Sequence, residues 1–128
     1  MNKSRDTQYH KLVKKLISTE RSELLKSVFE PLKPVEIANI LLQLKLQHQL
    51  VVLENLEREI SSEVLNNLQD SPSILGDIVK QLSPDRLSDA IEDMPQDDAA
   101  DFVRLLDDDK ADALLERLPE KDREELTH

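Results

Sequence analysis

A large apolar residue recurs every 12 residues along most of this chain. The positions form two series separated by a two-residue offset: Leu32, Leu44, Leu56 and Leu68, then Leu82, Met94, Leu106 and Leu118. Proline follows several of them within two positions, and proline suits the first turn of a helix but interrupts its interior. The spacing therefore predicts helices of about 8–10 residues joined by tight links, with two helices in a repeat of about 24 residues.

A helical hairpin of this size cannot bury its apolar side alone, so neighbouring hairpins have to stack. Apolar residues recur at helical spacing elsewhere too, as in residues 12–17, and alternating strand patterns are almost absent. We therefore expect an all-α fold, a superhelix of helical-hairpin repeats. Residues 1–30 hold 7 basic and 4 acidic side chains and are expected to form a longer basic helix that caps the stack. Residues 31–128 are expected to form the repeats, within a single domain overall.

The composition excludes several kinds of site. Gly76 is the only glycine, which argues against a glycine-rich phosphate loop, and the chain has no cysteine for a disulfide, a thiol nucleophile or a thiolate zinc site. The three histidines, His10, His48 and His128, have no partner at a catalytic or metal-binding spacing. We therefore expect no enzyme activity.

Hydropathy bears on where the protein resides. No apolar run approaches the roughly 18–20 residues that a bilayer span requires, and the polar start of the chain does not resemble a signal peptide. These features lead us to expect a soluble intracellular chain.

The net charge of −10 is concentrated in the second part of the chain. Residues 1–84 contain 11 basic and 11 acidic side chains, whereas residues 85–128 contain 6 basic and 16 acidic ones. An acidic segment of this kind repels nucleic acid and anionic lipid, and it attracts cations or a basic partner surface. The alternative is that the carboxylates only keep a helix face solvated.

Carboxylates four residues apart suggest a cation site. Three such pairs occur in successive predicted helices: Asp85 and Asp89, Asp97 and Asp101, and Asp108 and Asp112. At this spacing, like charges lie on one helix face with Cβ atoms about 5–6 Å apart and repel each other, which a hard ion such as Mg²⁺ would relieve. The alternative is that acidic residues in the first turn, such as Asp85, Asp97 and Asp98, only stabilise the helix dipole.

Several phrases of the sequence resemble the cytosolic N domain of the MgtE magnesium transporters. They are Leu82–Ile91 (LSPDRLSDAI), Met94–Val103 (MPQDDAADFV) and the earlier Leu32–Leu41 (LKPVEIANIL), together with Val51–Leu53 and Ser62–Leu65. The resemblance covers about residues 20–126. It implies a right-handed superhelix of short helices that belongs to a homodimeric Mg²⁺ channel and lies on the cytosolic side of the cell membrane.

The resemblance also implies a regulatory role. In this family, cytosolic Mg²⁺ binds between the N domain, a pair of CBS domains and the linking helices, and it holds the transmembrane pore shut. Asp97 and Asp101 match family positions that bind Mg²⁺ at the interface with the CBS domains, and Glu63 matches a third acidic position. The two-residue offset near Gln69 departs from the regular spacing between Glu63 and the later repeats.

A second class of function fits the same repeats. The chain would then be a helical-repeat adaptor, as in flagellar motor-switch proteins, which bind protein partners without a metal. An exposed apolar groove and the absence of a response to divalent ions would distinguish this adaptor from the Mg²⁺ sensor.

Overall fold

The computed structural model describes residues 3–119, with side chains from Gln8 onward, and within this range it contains helices and turns but no strand. The predicted all-α class is therefore confirmed. The helices in this range are α1 (Lys3–Ser18), α2 (Leu25–Phe29), α3 (Pro34–Leu41), α4 (Leu46–Asn55), α5 (Arg58–Asn67), α6 (Pro72–Gln81), α7 (Pro84–Glu92), α8 (Gln96–Val103) and α9 (Asp108–Arg117). Two short 3₁₀ turns cover Ser22–Leu24 and Leu68–Asp70.

The residues of the 12-residue series lie at the links between helices, as predicted. In six of the links the next helix begins two residues after the series residue: Pro34, Leu46, Arg58, Pro84, Gln96 and Asp108 begin α3, α4, α5, α7, α8 and α9. The series residues are buried, except that Leu106 is partly buried. Each link is therefore anchored in the core by one large apolar side chain.

The two-residue offset has a structural cause. After Leu68 the chain makes the 3₁₀ turn Leu68–Asp70, so that α6 begins at Pro72, four residues later instead of two. Ser71 precedes Pro72, but its side chain accepts no capping hydrogen bond. Ser71 therefore occupies the N-cap position of α6 without capping it through its side chain, whereas Ser83 caps α7 by accepting from the Arg86 amide at 3.2 Å.

Alternate helices stack in two layers. One layer consists of α3, α5, α7 and α9, and the other contains α2, α4 and α6. Helix α1 packs against α3 and α4, and α8 packs against α7. A single apolar core runs from Val13 to Leu118 and includes the fully buried Phe29 and Phe102. Stacked hairpins thus bury the apolar side that one hairpin would expose, while the right hand of the superhelix stays a prediction.

The opening segment differs from the single helix predicted over residues 1–30. Helix α1 ends at Ser18, and Glu20 has a φ of 59° in the left-handed region. The Glu20 amide donates to the Ile17 carbonyl at 3.2 Å, and the Arg21 amide donates to the Leu16 carbonyl at 2.7 Å. This pair of bonds is a Schellman motif, which satisfies the last carbonyls of a helix and turns the chain away. The prediction of one continuous helix is therefore wrong.

The proposed boundary between residues 30 and 31 stays a prediction, and residues 120–128 of the second segment lie outside the described residues. Among the helices that the structure describes, none combines the length and the apolar character needed to cross a membrane.

Candidate metal-binding surface

Helix α8 holds Asp97 and Asp101 on its solvent side. The helix begins directly after Pro95 and buries Ala99 and Phe102, whereas both carboxylates are exposed. Because residues four apart in a helix are neighbours on its surface, Asp97 and Asp101 lie on one face with Cβ atoms about 5–6 Å apart. This is the arrangement that the sequence spacing predicts.

Asp101 has a cation beside it on the same helix face. The Arg104 guanidinium forms an ion pair with the Asp101 carboxylate, and the two side chains are 74% and 55% exposed. An exposed pair of this kind contributes about 0–1 kcal/mol, so another cation can displace the arginine at little cost. No ion pair among the described residues involves Asp97.

Asp98 has a structural contact that sequence reasoning missed. Asn66 Nδ2 donates to Asp98 Oδ2 at 3.1 Å, and Gln69 Nε2 donates to the Asp98 carbonyl at 3.1 Å. Gln69 Nε2 also donates to Asn66 Oδ1 at 2.8 Å, which aligns the two amides. Asp98 therefore joins the first turn of α8 to the end of α5. No local pattern signals the contact, because its partners lie about 30 residues earlier in the chain.

Glu63 lies on α5 with an exposed side chain. Its carbonyl accepts from Asn67 Nδ2 at 2.8 Å, but its carboxylate has no hydrogen bond or ion pair within residues 8–119. In the part of the chain that the structure describes, no three His, Cys, Asp or Glu side chains are close enough to hold a metal ion. Glu63, Asp97 and Asp101 are therefore not assembled into one three-ligand site, and their Mg²⁺ binding stays a prediction.

The carboxylates of α7 are paired within the chain. The Arg58 guanidinium at the start of α5 lies 2.7 Å from Glu92 Oε2, 3.4 Å from Asp93 Oδ2 and 3.8 Å from Asp89 Oδ1. Burial alone would lower the pKa of Arg58, but the three carboxylates outweigh it and raise that pKa. One fixed cation thus compensates the acidic edge of α7.

The first turns of α7 and α9 use their acidic residues differently. Asp85 Oδ1 accepts from Arg117 Nε at 2.7 Å, which ties α7 to the end of α9. Asp107 Oδ1 accepts from the Lys110 amide at 2.8 Å and caps α9. Within the described residues, Asp108 and Asp112 take part in no ion pair. Asp97 on α8 and Asp108 and Asp112 on α9 therefore have no counter-ion within the described residues, as is also true of Glu63 on α5.

These features define the class of protein, an all-α stack of short helical hairpins whose later repeats carry an exposed acidic surface. The chain belongs to the MgtE intracellular N domain family, whose family model matches residues 32–128. The match begins at Leu32, the first residue of the 12-residue series. A search of curated proteins found no significant match.

The family match indicates the cytosolic domain of a magnesium transporter. This family is a regulatory domain of transporters and not a known family of enzymes.

Proposed function

We propose that this domain senses cytosolic Mg²⁺ and gates the pore of a magnesium transporter. Asp97 and Asp101 would supply carboxylate oxygens to an Mg²⁺ ion at the domain surface. Glu63 on α5, which is not grouped with them, would contribute a further carboxylate to Mg²⁺ binding at the interface with the CBS domains. The observation that carries this proposal is the position of Asp97 and Asp101 on one exposed face of α8, in a chain that belongs to the MgtE family.

The chemistry of these residues fits Mg²⁺. Mg²⁺ is a hard cation that prefers oxygen ligands, keeps several of its waters and is often held by only one or two carboxylates. Asp97 and Asp101 meet these requirements on solvent-exposed side chains. Asp101 would exchange its exposed ion pair with Arg104 for the metal ion.

A high Mg²⁺ affinity would require a ligand from a partner domain. No group of three potential ligands lies within the described residues, so a further ligand would come from the CBS domains of the same transporter. In the homodimeric transporter, Mg²⁺ would then hold the N domain against the CBS domains and keep the pore shut. When Mg²⁺ falls, the uncompensated carboxylates of α8 and α9 would repel other acidic surfaces and release the domain. The ion thus shifts a two-state equilibrium by binding one state more tightly.

Thermal unfolding tests the carboxylate pair in the chain itself. Native protein and the Asp97→Asn/Asp101→Asn variant are compared in MgCl₂ and in NaCl of equal ionic strength, because screening alone stabilises an acidic surface. Binding to the native state adds about 0.4 kcal/mol when Mg²⁺ equals its Kd and about 1.4 kcal/mol at ten times Kd. We expect an Mg²⁺-specific gain in the native protein and none in the variant.

The chain offers a matched control in Asp108→Asn/Asp112→Asn, which removes an equally spaced pair from the next helix. This control is expected to keep the Mg²⁺-specific gain. If Mg²⁺ and Na⁺ act equally on all three proteins, the titration is repeated with the CBS domains attached. Equal curves there as well would contradict Mg²⁺ sensing and favour the adaptor function.

One observation favours the adaptor as a second candidate. A groove of about 420 Å³ lies between α2 and α5, and it is lined in part by the apolar side chains Phe29, Leu32, Leu56 and Ile60. Apolar surface rimmed by polar residues is typical of a protein-binding site, and among the described residues this groove has no group of three potential metal ligands.

A further inference from the structure

Two repeats use a basic side chain to satisfy a carbonyl at the end of a helix. Arg86 Nη2, in the first turn of α7, donates to the Glu54 carbonyl at 3.0 Å near the end of α4. Lys110 Nζ, in the first turn of α9, donates to the Lys80 carbonyl at 2.6 Å near the end of α6. Basic side chains near helix C-termini commonly bond the last carbonyls, which have no partner within the helix.

These two contacts are the same contact in successive repeats. Arg86 and Lys110 each lie four positions after a residue of the 12-residue series, Leu82 and Leu106 respectively. The two carbonyls each lie two positions before an earlier series residue, Leu56 for Glu54 and Leu82 for Lys80. The repeat geometry therefore brings the cation of one unit to the helix end of another.

The corresponding positions in the first repeat are Ile60 and Glu30. Ile60 lies four positions after Leu56, and Glu30 lies two positions before Leu32. Because the isoleucine side chain has no hydrogen-bond donor, position 60 cannot supply a cation to the carbonyl of Glu30 as positions 86 and 110 do in the later repeats. The first repeat thus lacks a contact that the next two repeats make.

The Glu30 carbonyl also lacks a donor from its own segment. Pro34 stands four residues later and has no N–H group, and no hydrogen bond within the described residues reaches this oxygen. The Lys80 carbonyl is in the same situation, since Pro84 stands four residues after it, and there Lys110 supplies the donor. The Lys80 carbonyl near the end of α6 thus receives a hydrogen bond from Lys110. The equivalent carbonyl after α2, that of Glu30, receives none within the described residues and is available to another donor.

The lining of the groove at this place is chemically complementary to a basic side chain. It combines the buried apolar residues Phe29 and Leu32 and the half-buried Ile60 with the exposed carboxylates Glu30 and Glu57. Arginine and lysine pack an aliphatic stem on apolar surface and keep the charged head among polar groups. A carboxylate and a carbonyl are acceptors for that head.

We propose that this groove binds an arginine or lysine side chain presented by a partner polypeptide. The stem would lie on Phe29, Leu32 and Ile60, and the head would donate to the Glu30 carbonyl and to the carboxylates of Glu30 and Glu57. Lys26 Nζ pairs with Glu57 Oε1 at 3.2 Å, but both side chains are more than half exposed, so the pair is weak and exchangeable. This inference does not depend on Mg²⁺ binding at α8.

Chemical-shift perturbation tests the groove with a defined probe. N-acetyl-arginine methylamide is titrated into the ¹⁵N-labelled chain at constant ionic strength, with N-acetyl-norleucine methylamide as the uncharged control. We expect the arginine probe to shift the amides around Glu30, Glu57 and Ile60, and the norleucine probe to shift them much less. Equal shifts with both probes would mean that the groove takes apolar side chains without a charge, which overturns the proposal.

Two reciprocal variants sharpen the test. Ile60→Arg gives the first repeat its own cation and is expected to abolish the shifts at Glu30. Arg86→Ile removes the cation of the second repeat and is expected to add probe-induced shifts at Glu54. Undiminished binding in a folded Ile60→Arg protein would overturn the proposal.

Should Ile60→Arg not fold, Glu30→Gln/Glu57→Gln decides the question with changes at exposed positions only. Loss of most of the arginine-induced shift is expected in that variant. Shifts of unchanged size would show that the carboxylates do not bind the cation and would refute the site.

Discussion

Asn66 Nδ2 donates a hydrogen bond to Asp98 Oδ2 across 3.1 Å and thereby joins the end of α5 to the first turn of α8. The contact distinguishes two adjacent aspartates that look alike in the sequence. Asp98 is half-buried and holds α8 in place, whereas Asp97 is exposed and has no ion pair within the described residues. Only one of the two carboxylates is therefore free to meet a cation.

This difference predicts that the two aspartates contribute unequally to the free energy of unfolding. Asp98→Ala is expected to lower the free energy of unfolding by about 1–2 kcal/mol, because it removes a charge-assisted hydrogen bond and leaves the Asn66 amide without this partner. Asp97→Ala is the matched control and is expected to cost less than about 0.5 kcal/mol. Urea unfolding of both variants measures the difference. Equal losses would show that the Asn66 contact contributes nothing.

Arg58 is predicted to stabilise the junction of α5 and α7 electrostatically. Arg58→Gln removes the cation that faces Asp89, Glu92 and Asp93, so these carboxylates repel each other without compensation. The variant is expected to unfold at a lower urea concentration than the native chain, and the deficit is expected to shrink as NaCl screens the repulsion. Arg104→Gln, which removes a more exposed pair with a single carboxylate, should show a smaller deficit. A deficit that does not change with salt would argue against this electrostatic role.

His48 is predicted to make the stability depend on pH. Its Nδ1 atom is buried on α4 with no hydrogen-bond partner within the described residues. Burial lowers the pKa of His48 below its ordinary 6.5, and the charges of Lys45, Lys14 and His10 lower it further. The unfolded chain then binds this proton more readily, so the stabilising contribution is present above about pH 6.5 and is lost as the pH falls below that value.

Urea unfolding across this pH range checks the prediction. The native chain is expected to lose stability between about pH 7.5 and about pH 5.5. His48→Gln is expected to lose less over the same interval, because it has no proton to gain at this position. Identical pH profiles for the two proteins would exclude His48 as the cause.

Phe102 is predicted to supply most of the free energy that holds α8 against the core. Its ring is fully buried on the side of the helix opposite to Asp97 and Asp101. Phe102→Ala is expected to cost about 3–5 kcal/mol through lost burial and the cavity that remains. Leu42→Ala, at a position that is 38% exposed, should cost far less and serves as the control. Differential scanning calorimetry of the two variants measures both effects, and a small loss for Phe102→Ala would mean that α8 is not held by its core contact.

The sequence was most informative where the pattern is local. The 12-residue spacing located the links correctly. Each link places one large apolar side chain in the core, so the apolar residues repeat at the same interval as the links. The sequence was less informative at the end of α1. There Glu20 adopts a positive φ that usually calls for glycine, so no residue type marked the turn. The two-residue offset was visible in the sequence, but only the structure shows that the additional residues after Leu68 form a 3₁₀ turn.

Periodicity and charge, read from the sequence alone, determined that this chain stacks short helices and that its later repeats are acidic. Those properties depend on residue type and on spacings of a few residues, which a helix converts directly into faces. Only the tertiary structure decided which carboxylates keep their charge uncompensated. Arg58 on α5 meets Glu92 on α7 across 34 residues of sequence because stacking brings alternate helices together, and Asp98 on α8 meets Asn66 at the end of α5 across 32. The physical reason is that counter-ions and acceptors are selected by distance in space, and the spacing of residues along the chain does not specify that distance until the repeats have packed.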